Sequence, residues 1–269
     1  MAFSDRTLSK RLERAEGFAC IEFADARWRL FPESGSIWAE IAGALAAFDG
    51  IDSPITQSFG LGLFERLTPE ALDLIEEFFF SRGAPANHEI SPFVGTEAIG
   101  LLCDRGYRPI EISSVLYRPV EMPAKFETNG INVRVTTANE ANLWAEISTR
   151  GWSHEHPELQ EFMSELGTIA AARSQSVCFL AEYEGKPGAA GAISIHEGIA
   201  LFAGSATVPE LRRRGLQSAL LEARMRYAVE AGCDIAMMVA ELGSNSQRNA
   251  ERKGFQTAYT RTKWQRLPG

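Results

Sequence analysis

The 269-residue sequence has only four cysteines, Cys20, Cys103, Cys178 and Cys233, and no two of them form a C-x-x-C pair. That scatter argues against a disulfide framework or a cysteine zinc site. The apolar neighbours of each predict reduced, buried thiols. No apolar run is long enough to span a bilayer. The first residues lead into a charged, helix-like stretch instead of a signal peptide. Basic residues are in deficit, 27 Lys and Arg against 35 Asp and Glu, giving a formal charge of −8 and a pI near 5.2. Such a balance argues against nucleic acid or an anionic membrane surface as a partner. The expectation is a cytoplasmic protein with no metal, no nucleic acid and no membrane contact.

Apolar residues are plentiful, at 45% of the chain, enough to bury one large core or two ordinary ones. The first half reads as a charged helix over Ser4 to Phe18, a strand over Ala39 to Phe48, a turn at Asp49 to Pro54, and a return over Ile55 to Leu63. Thr68-Pro69-Glu70 then starts a helix: a capping hydroxyl, a proline at the first helical position, and an acid beside it. A strand near Asn87 to Ile90 and a helix from Thr96 to Arg105 follow, closed by Gly106. The second half repeats this punctuation. Gly83 and Gly106 lie 23 residues apart and Gly232 and Gly254 lie 22 apart, and Gly106-Tyr107 is matched by Gly254-Phe255. The pattern predicts two copies of one mixed α/β fold, residues 1–125 and 131–269, with Lys125 to Gly130 as the boundary. Common α/β punctuation is the alternative. Phe78-Phe79-Phe80 and Ser91-Pro92-Phe93 read as packing residues.

The informative stretch runs from Thr207 to Leu221. A strand ends at Val208-Pro209, and a helix follows with apolar positions at 216, 219, 220, 223, 227 and 231. Arg212, Arg213 and Arg214 stand at the front of that helix, whose N-terminus already carries partial positive charge. An anion held by the first-turn N–H groups removes the conflict, and Gly215 lets a phosphate approach the backbone closely. A solvated basic turn paired with Glu210 and Glu222 is the other reading.

Arg212-Arg213-Arg214-Gly215-Leu216-Gln217 resembles the Arg/Gln-x-x-Gly-x-Gly/Ala pyrophosphate loop of the GNAT acetyltransferase superfamily. Ser244 to Phe255 resembles that family's second cofactor-side helix, which ends in Gly-Phe, and the resemblance spans about Ile131 to Trp264. It implies a GNAT acyl-CoA N-acyltransferase fold in two tandem copies, with acetyl-CoA as co-substrate. Under it, Arg213, Arg214, Gly215, Leu216, Gln217 and Ser218 would cradle the pyrophosphate. The backbone of Ala206, Thr207 and Val208 would pair with the pantetheine arm, and Ser244, Asn245 and Asn249 would border the cofactor. A backbone N–H, expected at Val208, would stabilise the oxyanion as a primary amine attacks the thioester directly.

Two residues depart from the family pattern. Gln217 replaces the last small residue of the loop. Ala250 stands where many members place an acid tyrosine, so Tyr183 and Tyr259 become possible substitutes. Glu241, His154, His156 and Glu182 are candidate bases, with Glu241 preferred. Trp152 and His154 border the acceptor in this scheme, although packing is the plainer role for Trp152. His196-Glu197-Gly198 reads as a hairpin turn. Phe64 to Glu70 takes the place of the loop in the first half, with two acids, no glycine and a proline lacking an N–H; that copy is expected to have lost coenzyme binding. The functional expectation is acetyl transfer to a small-molecule amine. A noncatalytic CoA or acyl-CoA sensor is the rival, and homodimerisation is left open.

Overall fold

A computed structural model describes residues 4–123, 130–152 and 160–269. The expected boundary at 125–130 therefore lies almost wholly outside the described residues. Contacts group the chain differently from a cut there: residues 1–118 with 237–269 form one compact unit, and 119–236 form the other.

In the first unit, α1 (Arg6–Leu30) is longer than the charged stretch expected over Ser4 to Phe18. Asp5 caps it by accepting the Leu8 N–H at 2.8 Å. The helix continues because Gly17, Cys20, Ile21 and Ala24 keep the i, i+3, i+4, i+7 spacing of one buried face. The single strand expected over Ala39 to Phe48 is a hairpin of β1 (Ile37–Ile41) and β2 (Ala44–Phe48). Ala42 and Gly43 take φ of 49° and 74° at its two-residue turn.

β3 (Gln57–Phe59), α2 (Pro69–Phe80) and β4 (Ala86–Ile90) make a crossover whose two strands pair in parallel. After α3 (Thr96–Asp104) comes the long β5 (Arg108–Pro119). The C-terminal strand β11 (Gln256–Arg266) pairs antiparallel with both β4 and β5. That double pairing draws the end of the chain into the first unit. Cores lie on both faces of this sheet. Ala44, Ala46 and Phe48 of β2 meet Leu72, Ile75 and Phe79 of α2, while the alternate Leu45 and Ala47 meet Cys20, Ile21 and Ala24 of α1. A Cβ on Gly17 would stand 3.1 Å from Leu45 and Phe59, so glycine lets α1 lie this close to the strands.

The second unit is an antiparallel sheet in the order β6 (Ile131–Val135), β7 (Ser176–Tyr183), β8 (Lys186–His196), β9 (Ile199–Thr207). As expected, His196-Glu197-Gly198 forms a tight turn, with φ of 44° at Glu197 and 79° at Gly198. Helices α4 (Ala141–Trp152), α5 (Gln160–Ala171) and α6 (Leu216–Glu230) complete the unit. Cys178 and Leu180 pack with Trp144 of α4, whereas the intervening Phe179 meets Tyr227 of α6 edge-on at 5.8 Å. α4 and α6 therefore cover opposite faces of the sheet. β10 (Ile235–Glu241) and the short α7 (Asn245–Arg252) that follows belong, from Met237 on, to the first unit.

Three of the cysteines are buried as expected, but Cys103 is exposed. α3 buries Ala98 and Leu102, and position 103 falls outside that stripe. No helix among the described residues is long and apolar enough to cross a membrane.

Candidate coenzyme site at the start of α6

β9 ends at Thr207 and a 3-10 turn (Pro209–Leu211) leads into the arginine loop. Arg213 and Gly215 both take left-handed backbone, φ 64° and 89°. Gly215 is thus a position where glycine is nearly strain-free and other residues are not. α6 has no side-chain cap and no acid in its first turn. Its first backbone bond runs from Ala219 N–H to Gly215 O at 3.1 Å. The N–H groups of Leu216, Gln217 and Ser218 are therefore left for an outside acceptor. Arg213, Arg214, Gly215 and Gln217 are all exposed beside them.

Arg213 and Arg214 are not held as a solvated basic turn paired with Glu210 and Glu222 would require. Glu210 pairs with Arg150 instead, at 3.5 Å. Arg212 reaches back to the carbonyls of Thr207, at 3.4 Å, and Gly151, at 3.2 Å. Arg214 lies over the Tyr183 ring at 5.4 Å. The departure at Gln217 is accommodated because its side chain folds onto the Thr207 hydroxyl at 2.7 Å, which leaves its N–H on the open side of the turn. Uncapped amides, a glycine in left-handed backbone and the exposed guanidinium groups of Arg213 and Arg214 fit a diphosphate.

The corresponding place in the first unit is built the other way. Thr68 caps α2 by accepting the Ala71 N–H at 3.2 Å, and Pro69 has no N–H to offer. The Glu70 carboxylate is held below its usual range by its own backbone N–H and the Thr68 hydroxyl. That helix start already carries its anion.

β9 is irregular just before the loop. Ala192 faces Ala203 and Ala190 faces Ala206, so Gly204 and Ser205 together oppose the single Gly191. This is a β-bulge, and Gly204 takes φ 63° in it. Ala206 and Thr207 continue the strand beyond it. The Val208 N–H donates to Gly188 O at 2.9 Å, so it is already committed and is not the oxyanion donor expected from the sequence. Gly151 at the end of α4 sits tight against this strand, where a Cβ would come 2.6 Å from the Ala206 Cβ. The sequence reading missed Gly151, because nothing in its spacing marks it.

The remaining expected residues are distributed as follows. Glu241 ends β10 in the first unit with its side chain exposed. Ser244 caps α7 by accepting the Gln247 N–H at 3.2 Å. Asn245 accepts from Arg248, and Asn249 accepts from Arg252. Ala250 is buried. Glu182 is bound to Arg134 at 2.9 Å, which makes it a poor free base. Tyr259 is buried, donates to Glu13 at 2.8 Å, and is pushed well above the usual phenol range by burial and then by that carboxyl. Tyr259 is therefore not a free acid, whereas Tyr183 lies with its ring under Arg214. Trp152, expected to pack, is half exposed. As the last residue of α4 it follows Gly151, which itself takes the close contact with β9. His154 and His156 lie outside the described residues. Among the described residues, no group of three His, Cys, Asp or Glu side chains is arranged to hold a metal ion.

Residues 140–255 match the model of the acetyltransferase (GNAT) family. Its fold is similar to that of a GCN5-related N-acetyltransferase from Kribbella flavida, at 18% identity over 91% of this chain and 94% of that one, with a TM-score of 0.64. A GCN5-related N-acetyltransferase from Sphaerobacter thermophilus is similar at 18% identity over 95% and 91%, TM-score 0.55. A tandem GNAT protein from the clavulanic acid biosynthesis pathway is similar at 14% identity over 74% and 68%, TM-score 0.53. No curated protein matches the sequence.

Proposed function

We propose that the chain is an acetyl-CoA-dependent N-acetyltransferase acting on the primary amine of a small molecule. The observation that carries this reading is the uncapped start of α6, where Arg213, Arg214 and Gly215 surround three free N–H groups. Acetyl-CoA, when bound, supplies an activated acetyl thioester. In this reading Leu216, Gln217 and Ser218 bind the diphosphate through their amides, and the two arginines add charge. Ala206 and Thr207 offer strand backbone to the pantetheine arm. Glu241 takes the proton from the acceptor amine. The amine attacks directly, with no covalent enzyme intermediate. No protein acid is assigned to the leaving thiolate, because Ala250 fills the family's tyrosine position and the Tyr259 hydroxyl is bound to Glu13. We further propose that residues 1–125 are a degenerate GNAT-like copy that has lost coenzyme binding, in keeping with the self-capped start of α2.

The test has two arms. Acetyl-CoA at about 100 times its dissociation constant is expected to stabilise the fold by about 2.7 kcal/mol. Arg213→Ala with Arg214→Ala is expected to weaken binding at least about tenfold, the equivalent of one charge-assisted hydrogen bond. Undiminished affinity would refute the loop assignment. In the second arm, thiol release is followed over a panel of amines. Binding with no turnover on any amine would favour the sensor.

A further inference from the structure

Arg224 sits in the middle of α6, on the same helix whose N-terminus forms the loop, and it is 1% exposed. No carboxylate pairs with it among the described residues. Its Nη1 donates instead to the carbonyls of Ala192, at 3.3 Å, and Ala203, at 3.4 Å, while Nε donates to Leu220 O at 3.2 Å. The guanidinium also lies over the Phe202 ring at 5.0 Å. Burial pulls its pKa down to about 10, which leaves it charged at neutral pH.

Those two carbonyls belong to the facing residues at one edge of the β9 bulge. Gly191, the residue opposite the bulge, is where a side chain would crowd the guanidinium, since a Cβ there would lie 3.3 Å from it. On the other face of the sheet, Trp144 Nε1 donates to Gly191 O at 3.2 Å, and its ring edge is 3.5 Å from where a Cβ on Gly204 would stand. The bulge is thus gripped from both faces, by a helix on each side. A buried charge without an acid is costly to keep, and a core repacked with apolar residues would usually be at least as stable. Stability alone is a weak reason for an arginine here.

We propose that Arg224, with Trp144, is a positioning residue that fixes the β9 bulge, so that Ala206 and Thr207 beyond it present their backbone to the pantetheine arm in register with the diphosphate loop. This rests on the coenzyme reading above. It assigns Arg224 to the arm of the coenzyme and not to its phosphates.

The experiment compares two ligands by calorimetry, CoA and 3′-phosphoadenosine 5′-diphosphate, which keeps the phosphates and lacks the arm. Arg224→Met is expected to bind the nucleotide within twofold of the unsubstituted protein while binding CoA at least about tenfold more weakly. Trp144→Phe keeps an aromatic side chain but removes the Nε1 donor and the ring edge beside Gly204; it is expected to shift the same ratio in the same direction by a smaller factor. It decides the matter if Arg224→Met fails to fold. Equal weakening of both ligands, or an unchanged ratio in the variants, overturns the assignment of Arg224. If the unsubstituted protein binds neither ligand, the coenzyme reading itself fails and takes this one with it.

Discussion

Glu13 offers a measurement that bears directly on Tyr259. The carboxyl is 1% exposed and accepts from Tyr259 at 2.8 Å and from Arg261 at 3.3 Å. Arg261 is also bound to Glu16 and Glu89, and Lys263 to Glu89 and Glu111, so acids outnumber bases in this cluster. Burial raises the Glu13 pKa from 4.5 to about 7, against the pull of Arg261. Between those two pH values the folded state therefore holds a proton that the unfolded state has lost. Stability must fall as pH rises through this window, by about 1.4 kcal/mol per pH unit for one proton. Across the window the loss is about 3 kcal/mol. Glu13→Gln removes the titration while keeping a neutral side chain of the same shape. The variant is expected to gain on the unsubstituted protein by about 3 kcal/mol from pH 4.5 to 7, then to run parallel above it. Urea denaturation at half-unit pH steps measures the difference directly, with other titrations cancelling between the two proteins. Parallel curves throughout, or a variant that loses ground as pH rises, would show that Glu13 is an ordinary ionised partner of Arg261.

Two simpler substitutions test the two helix starts. Gly215→Ala places a Cβ in left-handed backbone and is expected to cost about 1–2 kcal/mol by denaturation. It should also weaken acetyl-CoA binding, and an unchanged stability would mean that the loop does not hold that backbone. Thr68→Ala removes the cap of α2 and is expected to cost about 1 kcal/mol, while acetyl-CoA affinity measured by calorimetry stays unchanged. Altered affinity would contradict the proposal that the first copy has lost coenzyme binding.

The features legible in the sequence were those that rest on local chemistry. Thr68-Pro69-Glu70 announced α2, and the glycines after α2, α3 and α6 marked their ends, because caps and left-handed glycines act within a few residues. The arginine loop was legible for the same reason. The extension of α1 was missed because Phe18-Ala19-Cys20-Ile21 looks like strand if the period is not followed through Ala24. The hairpin at Ala42-Gly43 was hidden in a run of apolar residues whose strand is buried on both faces. Arg224 escaped because charge suggests a solvent face, although it completes the i, i+4 stripe of Leu216, Leu220 and Ala228. The Val208 N–H could not be placed without knowing that Gly188 lies across from it. Such facts depend on strand register, which sequence spacing does not fix.

The placement of β11 constrains how the protein is made. Gln265 bonds to Asn87 across 178 residues of chain, and β4 and β5 both wait for that strand. A ribosome must therefore translate through residue 266 before β4 and β5 can close their part of the sheet. Until then the nascent segment has two strand edges to shield, so β4 and β5 are among the last strands to reach their final partners.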